Sequence, residues 1–119
     1  MEEGRPIFLQ VAELLANAII DGSIPEEGQV PSTNELAAFH RINPATAAKG
    51  VNQLVDDGIL YKKRGIGMFV STGARARLRD RRRKEFAQQY VQPLLAEARK
   101  LGIEVQEIKS MLDSGEEER

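Results

Sequence analysis

Residues 32–58 read STNELAAFHRINPATAAKGVNQLVDDG, and two helix starts lie within this one stretch. Ser32 and Glu35 make a capping box: the hydroxyl accepts from the Glu35 amide while the carboxylate reaches back to the Ser32 amide. Leu36, Ala37 and Phe39 then supply a short apolar face. This helix has room for only about two turns, because Asn43-Pro44 opens another. Asn43 is a favoured N-cap, and Pro44 suits the first helical position, where no amide hydrogen is needed. From Pro44 to Asp57 the residues Ala47, Val51, Leu54 and Val55 define an inward stripe, and Gly58 follows as the C-cap. Gly50 sits mid-helix at a cost of about 1 kcal/mol relative to alanine, so close packing against the preceding helix is expected there. Two short helices joined by a tight turn form a helix-turn-helix.

On the N-terminal side, Val11, Leu14, Leu15, Ala18 and Ile19 recur at helical spacing after Pro6, and Gly22, Pro25 and Gly28 mark the end and a loop. On the C-terminal side, Ile59-Leu60-Tyr61 leads into Lys62-Lys63-Arg64, then the turn Gly65-Ile66-Gly67, then Met68-Phe69-Val70. That pattern is a hairpin with a glycine-containing loop. A lone hairpin is marginal, so it must pack on the helices. The fold expected is mainly α with a small β-hairpin, a winged helix-turn-helix over residues 1–72.

Beyond Gly73 the pattern is helical, and residues 73–119 form a second, C-terminal segment. Phe86, Tyr90, Leu94, Ala98 and Leu101 step at helical spacing with Val91 and Leu95 beside them. Pro93 should kink or break this run near Gln92. Gly102 reads as a C-cap, Val105, Ile108, Met111 and Leu112 form the stripe of a last short helix, and the tail 114–119 is expected to fray. Apolar stripes on so short a segment need a partner surface, which a second copy supplies. The expected dimerisation residues are Phe86, Tyr90, Val91, Leu94, Leu95, Ala98, Leu101, Val105, Ile108 and Leu112.

Composition narrows the chemistry. The 119 residues include no cysteine and one histidine, His40, which removes thiolate sites and His-pair metal sites. The carboxylate pairs Glu26-Glu27 and Asp56-Asp57 come with no nucleophile, metal-ligand set or phosphate loop, so neither an enzyme nor a cofactor is expected. No apolar run approaches the roughly 20 residues of a membrane span, and Met1-Glu2-Glu3 is not a signal-peptide start, so the cytoplasm is the expected compartment. The net charge of −1 points away from nucleic acid until it is mapped along the chain. Residues 1–59 hold 3 Lys/Arg against 9 Asp/Glu, residues 60–84 hold 10 against 1, and residues 85–119 hold 4 against 8. A basic block covers the hairpin and the helix after it.

The ordered set of motifs resembles the GntR family of bacterial transcription regulators. It runs from Pro6-Ile7-Phe8 with Gln10, through Gly22, Gly28, Pro31-Ser32 and Glu35-Leu36-Ala37, to Thr46, Leu54, Asp57-Gly58-Ile59-Leu60 and Arg64-Gly65-Ile66-Gly67-Met68-Phe69-Val70. Larger relatives carry a C-terminal effector-binding or enzyme-like domain, for which residues 71–119 are too few. The chain is therefore similar to the short YtrA-type subfamily, whose two C-terminal helices make the dimer. The resemblance implies a homodimeric regulator, by default a repressor, on a pseudo-palindromic double-stranded DNA operator, with any small-molecule effector unknown. The family often has arginine where Asn34 stands, and often opens the recognition helix with serine or threonine followed by arginine. Here the chain reads Asn43-Pro44-Ala45-Thr46, so an operator sequence does not carry over.

A helix fits the major groove and meets base edges with its first turns. The DNA-facing candidates are Ser32, Thr33 and Asn34, then Asn43, Ala45, Thr46 and Lys49, then Arg64, Gly65, Ile66 and Gly67. Thr46 suits a phosphate or a thymine methyl, Ala45 a thymine methyl, and Lys49 a guanine or phosphate. Free amides at the helix start would add an anion site. The plainer reading gives Asn43 and Thr46 only a capping role. Arg64 suits the minor groove, whereas Lys62 and Lys63 serve equally well as a charged edge strand. The run Arg75, Arg77, Arg79, Arg81, Arg82, Arg83 and Lys84 reads as a solvated face, a partner for acidic segments or a source of general phosphate attraction. The competing function is a winged-helix protein-interaction module without a DNA site. Membrane-surface attachment is disfavoured because large apolar residues do not interleave the arginines.

Overall fold

A computed structural model describes residues 4–117, which form two compact units divided at Asp80/Arg81. The first begins with helix α1 (Ile7–Ile20), followed by α2 (Thr33–His40) and α3 (Pro44–Asp56). Strands β1 (Leu60–Lys63) and β2 (Gly67–Val70) come next, then helix α4 (Ala74–Phe86), which crosses the division. The second unit continues through a π-helical turn (Ala87–Val91) into α5 (Gln92–Leu101) and α6 (Val105–Glu117).

Each helix boundary of the helix-turn-helix has a local cause. Ser32 Oγ accepts from the Glu35 amide at 3.1 Å, and Glu35 Oε1 accepts from the Ser32 amide at 3.0 Å. Asn43 Oδ1 accepts from the Ala45 amide at 2.7 Å, with Pro44 at the first helical position. Arg41 ends α2 in the left-handed conformation, and the Ile42 amide returns to the Ala37 carbonyl at 3.0 Å.

The core joins α1, α3 and the hairpin. Val11, Leu15 and Ile19 of α1 meet Ala47, Val51 and Leu54 of α3, with Leu36, Ile59, Leu60 and Val70 around them. A fully buried aliphatic side chain contributes about 1.5–3 kcal/mol, so this cluster dominates the unit's stability. Leu14, expected in the inward stripe of α1, is 45% exposed; Ala12 and Ala16 take the inward positions because α3 lies on that side of Val11 and Leu15. Phe39 is likewise exposed, at 83%, since it lies about 200° around the helix from Ala37. With Leu14 it instead lines an apolar groove of about 490 Å³ between α1 and α2.

Gly50 packs, but against α1 rather than α2. A Cβ there would lie 2.6 Å from the Phe8 carbonyl oxygen and 2.9 Å from Val11 Cβ, so the missing side chain is what lets the two helices approach.

The hairpin is antiparallel, pairing Leu60 with Val70, Tyr61 with Phe69, Lys62 with Met68 and Lys63 with Gly67. A segment read from sequence only as loop adds to it. Residues 27–30 run beside β2, with Gln29 bridged to Phe69 and the Val30 amide donating to the Met68 carbonyl at 2.9 Å. The Val70 amide returns to the Gly28 carbonyl at 3.0 Å. This third rung and the core contacts supply the support that a two-stranded ribbon lacks.

The first unit extends through two turns of α4, because Ala74 and Leu78 are buried in its core. In the second unit Pro93 does not break the helical run at Gln92, but the α pattern is interrupted just before it by the π turn Ala87–Val91. Pro93 has no amide to continue the α pattern. The chain instead widens to the π turn, where the Gln92 amide donates to the Ala87 carbonyl, and Val91 and Gln92 keep helical angles. Gly102 caps α5 with φ 71°, and the Ile103 amide bonds the Ala98 carbonyl at 2.9 Å. Helix α6 extends through Glu117, and Glu118 and Arg119, the end of the tail expected to fray, lie outside the described residues.

Candidate nucleic-acid interface

The proposed contact residues fall at the starts of α2 and α3 and at the hairpin tip. Ala45, Lys49 and Asn52 are exposed along α3, while Thr46 is half-buried. At the start of α2, Ser32 and Asn34 are exposed and Thr33 is half-buried. At the tip, Arg64, Gly65 and Ile66 are exposed, Ile66 to 64%. Helices α2 and α3 pack on each other, and α3 also packs on β1, so one unit carries all three groups.

The chemistry of α3's first turn differs from the sequence expectation in one respect. Pro44 has no amide hydrogen, the Ala45 amide is bound by the Asn43 side chain, and the Thr46 and Ala47 amides donate to the Asn43 carbonyl at 3.0 and 3.1 Å. The first-turn amides are thus committed, and the anion site expected there is closed. Any contact from this turn must come from side chains. Lys49 is also engaged: its Nζ lies 4.0 Å above the Phe8 ring centroid, a cation–π contact that draws the ammonium toward α1.

The hairpin tip is shaped by backbone geometry. The Ile66 amide donates to the Lys63 carbonyl at 2.9 Å, with Gly65 at φ 77° inside the turn. Gly67 has φ 147°, which strains any residue with a side chain, and a Cβ there would also displace the Gln29 amide group, 2.5 Å away at Nε2. Gln29 uses that space to donate to the Ile66 carbonyl at 3.1 Å, tying the tip to the neighbouring strand segment. Lys63 Nζ lies 4.4 Å from the Phe69 ring centroid, whereas Arg64 projects from the turn as an exposed cation.

At the opposite end of the hairpin the acidic pair Glu26-Glu27 has a structural task. Glu27 holds φ 65° and accepts from the Tyr61 hydroxyl and from Thr72 Oγ1, the latter at 2.7 Å. These bonds, the Tyr61 one first, hold its carboxyl below the usual carboxylate range, and the same contact raises the Tyr61 phenol above its ordinary value. Glu26 Oε1 accepts from the Gly73 amide at 2.8 Å, just before α4 begins, where a negative charge suits the helix dipole.

Two arginines of the basic run also bond to backbone carbonyls of the first unit, Arg75 from a half-buried position and Arg77 from an exposed one. Arg75 Nε donates to the Ile20 carbonyl at 2.9 Å, and Arg77 Nη2 donates to the Gly58 carbonyl at 2.8 Å. Neither α1 nor α3 has a basic residue in its own last turn, so α4 supplies the cations at both C-terminal ends. Sequence reading missed these roles, as it missed Gln29 and Phe8. The one available signal was the absence of lysine, arginine or histidine at the ends of α1 and α3.

The expected dimerisation residues divide by exposure. Phe86, Tyr90, Leu94, Leu101, Val105 and Leu112 are 45–64% exposed, Val91 and Leu95 are half-buried, and Ala98 and Ile108 are buried. Met111, on the same stripe of α6, is 52% exposed. Among the described residues no group of His, Cys, Asp or Glu is arranged to hold a metal, and no helix is long and apolar enough to cross a membrane.

Residues 8–70 match the family described as bacterial regulatory proteins, gntR family. The HTH-type transcriptional repressor YtrA of Bacillus subtilis (strain 168) is 27% identical over 103 residues, covering 87% of this chain and 78% of that protein. Against a larger repressor that it matches, the chain spans about a quarter of the length, 27%. Among solved structures, a GntR-family transcriptional regulator from Bacteroides thetaiotaomicron superposes with a TM-score of 0.74 at 31% identity, covering 94% of this chain and 97% of that one. The DNA-binding domain of AraR in complex with operator ORR3 gives a TM-score of 0.56 at 32% identity, over 60% of this chain and 86% of that one. Winged helix-turn-helix, C-terminal helices and a match across more than half the length lead to one assignment: this chain belongs to the gntR family of bacterial DNA-binding transcription regulators, not to the enzymes, and is built like its short YtrA-like members.

Proposed function

We propose that the chain is a cytoplasmic repressor that binds a pseudo-palindromic double-stranded DNA operator as a homodimer. The observation that carries this reading is the pairing, in one unit, of an exposed α3 start with an exposed Arg64–Ile66 tip. In this reading Ala45, Thr46 and Lys49 enter the major groove, Ser32, Thr33, Asn34 and Asn43 border it, and Arg64 with the Gly65-Ile66-Gly67 turn follows the adjacent minor groove. The AraR operator complex supports it, because a related unit there is seated on DNA. Helices α5 and α6, with Phe86 and Tyr90 before them, supply the second copy's contact. Occupation of the operator blocks transcription.

The test is anisotropy titration and footprinting on the DNA upstream of the protein's own gene, followed by operator selection. Affinity is expected to fall steeply with salt as phosphate counterions are released. Thr46→Ala is expected to weaken binding about tenfold, within the range of one lost DNA contact, while sedimentation still shows a dimer. Salt-independent or absent DNA binding would sink the reading in favour of a protein-interaction module, and a monomer at micromolar concentration would remove the dimer.

A further inference from the structure

Helix α4 is fastened to the first unit at several points around its first two turns. Its start is held by Glu26 on the Gly73 amide and by Glu27 on Thr72. Its inner face buries Ala74 and Leu78. On one flank Arg75 reaches the end of α1, and on the other Arg77 reaches the end of α3. Positions 75 and 77 are about 200° apart around a helix, so the two bonds lie on opposite sides of the buried stripe. The Arg77 guanidinium also fits closely, since a Cβ on Gly58 would come within 3.3 Å of its Nη1. A helix held only by Ala74 and Leu78 could roll about that stripe. Bonds on both flanks oppose rotation in either direction.

We propose that Arg75 and Arg77 are positioning residues that set the operator half-site spacing. They lock the roll of α4 against α1 and α3, and α4 is the element that runs from the DNA-binding unit into the segment assigned to dimerisation. Arg77 acts on the recognition helix through the Gly58 carbonyl, the group reached immediately after its C-terminal cap. In a dimer the distance between two recognition helices has to match successive major grooves. In this proposal the two guanidinium bonds, by holding the first two turns of α4 against the first unit, limit the roll available to the helix, so the protein discriminates among spacers as well as among half-sites. This proposal rests on the homodimeric DNA-binding reading above.

The experiment compares the unaltered protein with the Arg75→Met, Arg77→Met double variant and the Arg75→Lys, Arg77→Lys double variant. Three probes are used: the palindromic duplex obtained by operator selection, the same duplex with one base pair added between its halves, and a duplex carrying a single half-site. The methionine variant is expected to lose about tenfold in preference for the selected spacing over the lengthened one, a coupling of ordinary size. Its dimer dissociation constant is expected to stay within about twofold, and its single-half-site affinity to fall by less than its affinity for the selected duplex, since the two lost charges remove only general phosphate attraction there. The lysine variant, which keeps a charged donor at each site, is expected to recover part of the preference. Equal losses on all three probes, or unchanged spacing preference in the methionine variant, would overturn the proposal. If the unaltered protein binds none of the probes or sediments as a monomer, the underlying reading has failed, and this is seen before any variant is measured.

Discussion

Helices α3 and α6 are both 13 residues long and both amphipathic, yet they treat their apolar faces oppositely. Helix α3 buries Ala47, Gly50, Val51 and Leu54 between α1, α2 and β1. Helix α6 buries Ile108 but leaves Val105, Met111 and Leu112 more than half exposed. Periodicity announces that a face wants covering; whether the cover comes from the same chain depends on what the chain can reach. A stripe satisfied within one unit contributes to folding, whereas an uncovered stripe of similar strength suits association.

The largest contrast is expected from truncating one leucine on each helix. Leu54→Ala removes a buried side chain 4% exposed, and should cost about 2–5 kcal/mol in denaturant unfolding. Leu112→Ala removes one 62% exposed, and should leave the stability of a diluted sample within about 0.5 kcal/mol. Its effect should appear instead as weaker self-association in sedimentation equilibrium. Comparable unfolding losses for both would erase the distinction.

The two helices also carry one glycine each, and the same substitution should act with opposite signs. Gly50→Ala gains helix propensity but drives a methyl into the Phe8 carbonyl and Val11, so a net loss of about 1–3 kcal/mol is expected. Gly115→Ala meets nothing within 4 Å and should raise stability by up to about 1 kcal/mol. Thermal melts of the two variants check the pair, and a stabilising Gly50→Ala would show that the α1–α3 contact yields easily.

The smallest effect is a pH dependence at Tyr61, the tyrosine of the first unit, whose hydroxyl is clasped by the Glu27 carboxylate; among the described residues its counterpart in the second unit, Tyr90, has no such clasp. Because the folded pKa of Glu27 is depressed, its bonds stabilise above the unfolded carboxylate value of about 4.3 and are lost as pH falls through the folded one. The raised Tyr61 phenol works the other way: its contribution is present below the unfolded value of about 10 and is lost as pH rises through the folded one. In a Tyr90→Phe background, spectrophotometric titration should show Tyr61 ionising above the ordinary phenol range. Adding Glu27→Gln should bring it back down, and no movement on that change would remove the clasp at the hairpin base.

The boundaries legible in the sequence share one property: a few adjacent residues decide them. The Ser32–Glu35 box, the Asn43-Pro44 start and the Gly102 cap each satisfy backbone groups within a turn, and each appears where the letters place it. The glycines around Ile66 mark the hairpin loop for the same reason. Faces were less legible than ends. Leu14 and Phe39 fit apolar patterns but stay exposed, because a helical stripe is broad and the neighbouring helix covers only part of it. The letters at the start of α3 leave its amides open to an anion, but Pro44 and the double use of Asn43 leave none in the first turn.

What remained illegible joins residues far apart in the chain. Arg75 with Ile20, Arg77 with Gly58, Gln29 with Ile66 and Lys49 with Phe8 are contacts made after the helices have packed. Charge patterning correctly identified a basic block, yet two of its arginines bond to carbonyls at helix ends. Local hydrogen-bonding chemistry names the elements and their limits from the letters alone. Which side of each element is covered, and which cation meets which carbonyl, follows from the packing of α1, α3 and α4, because burial and long-range bonds are properties of neighbours that the chain order does not specify.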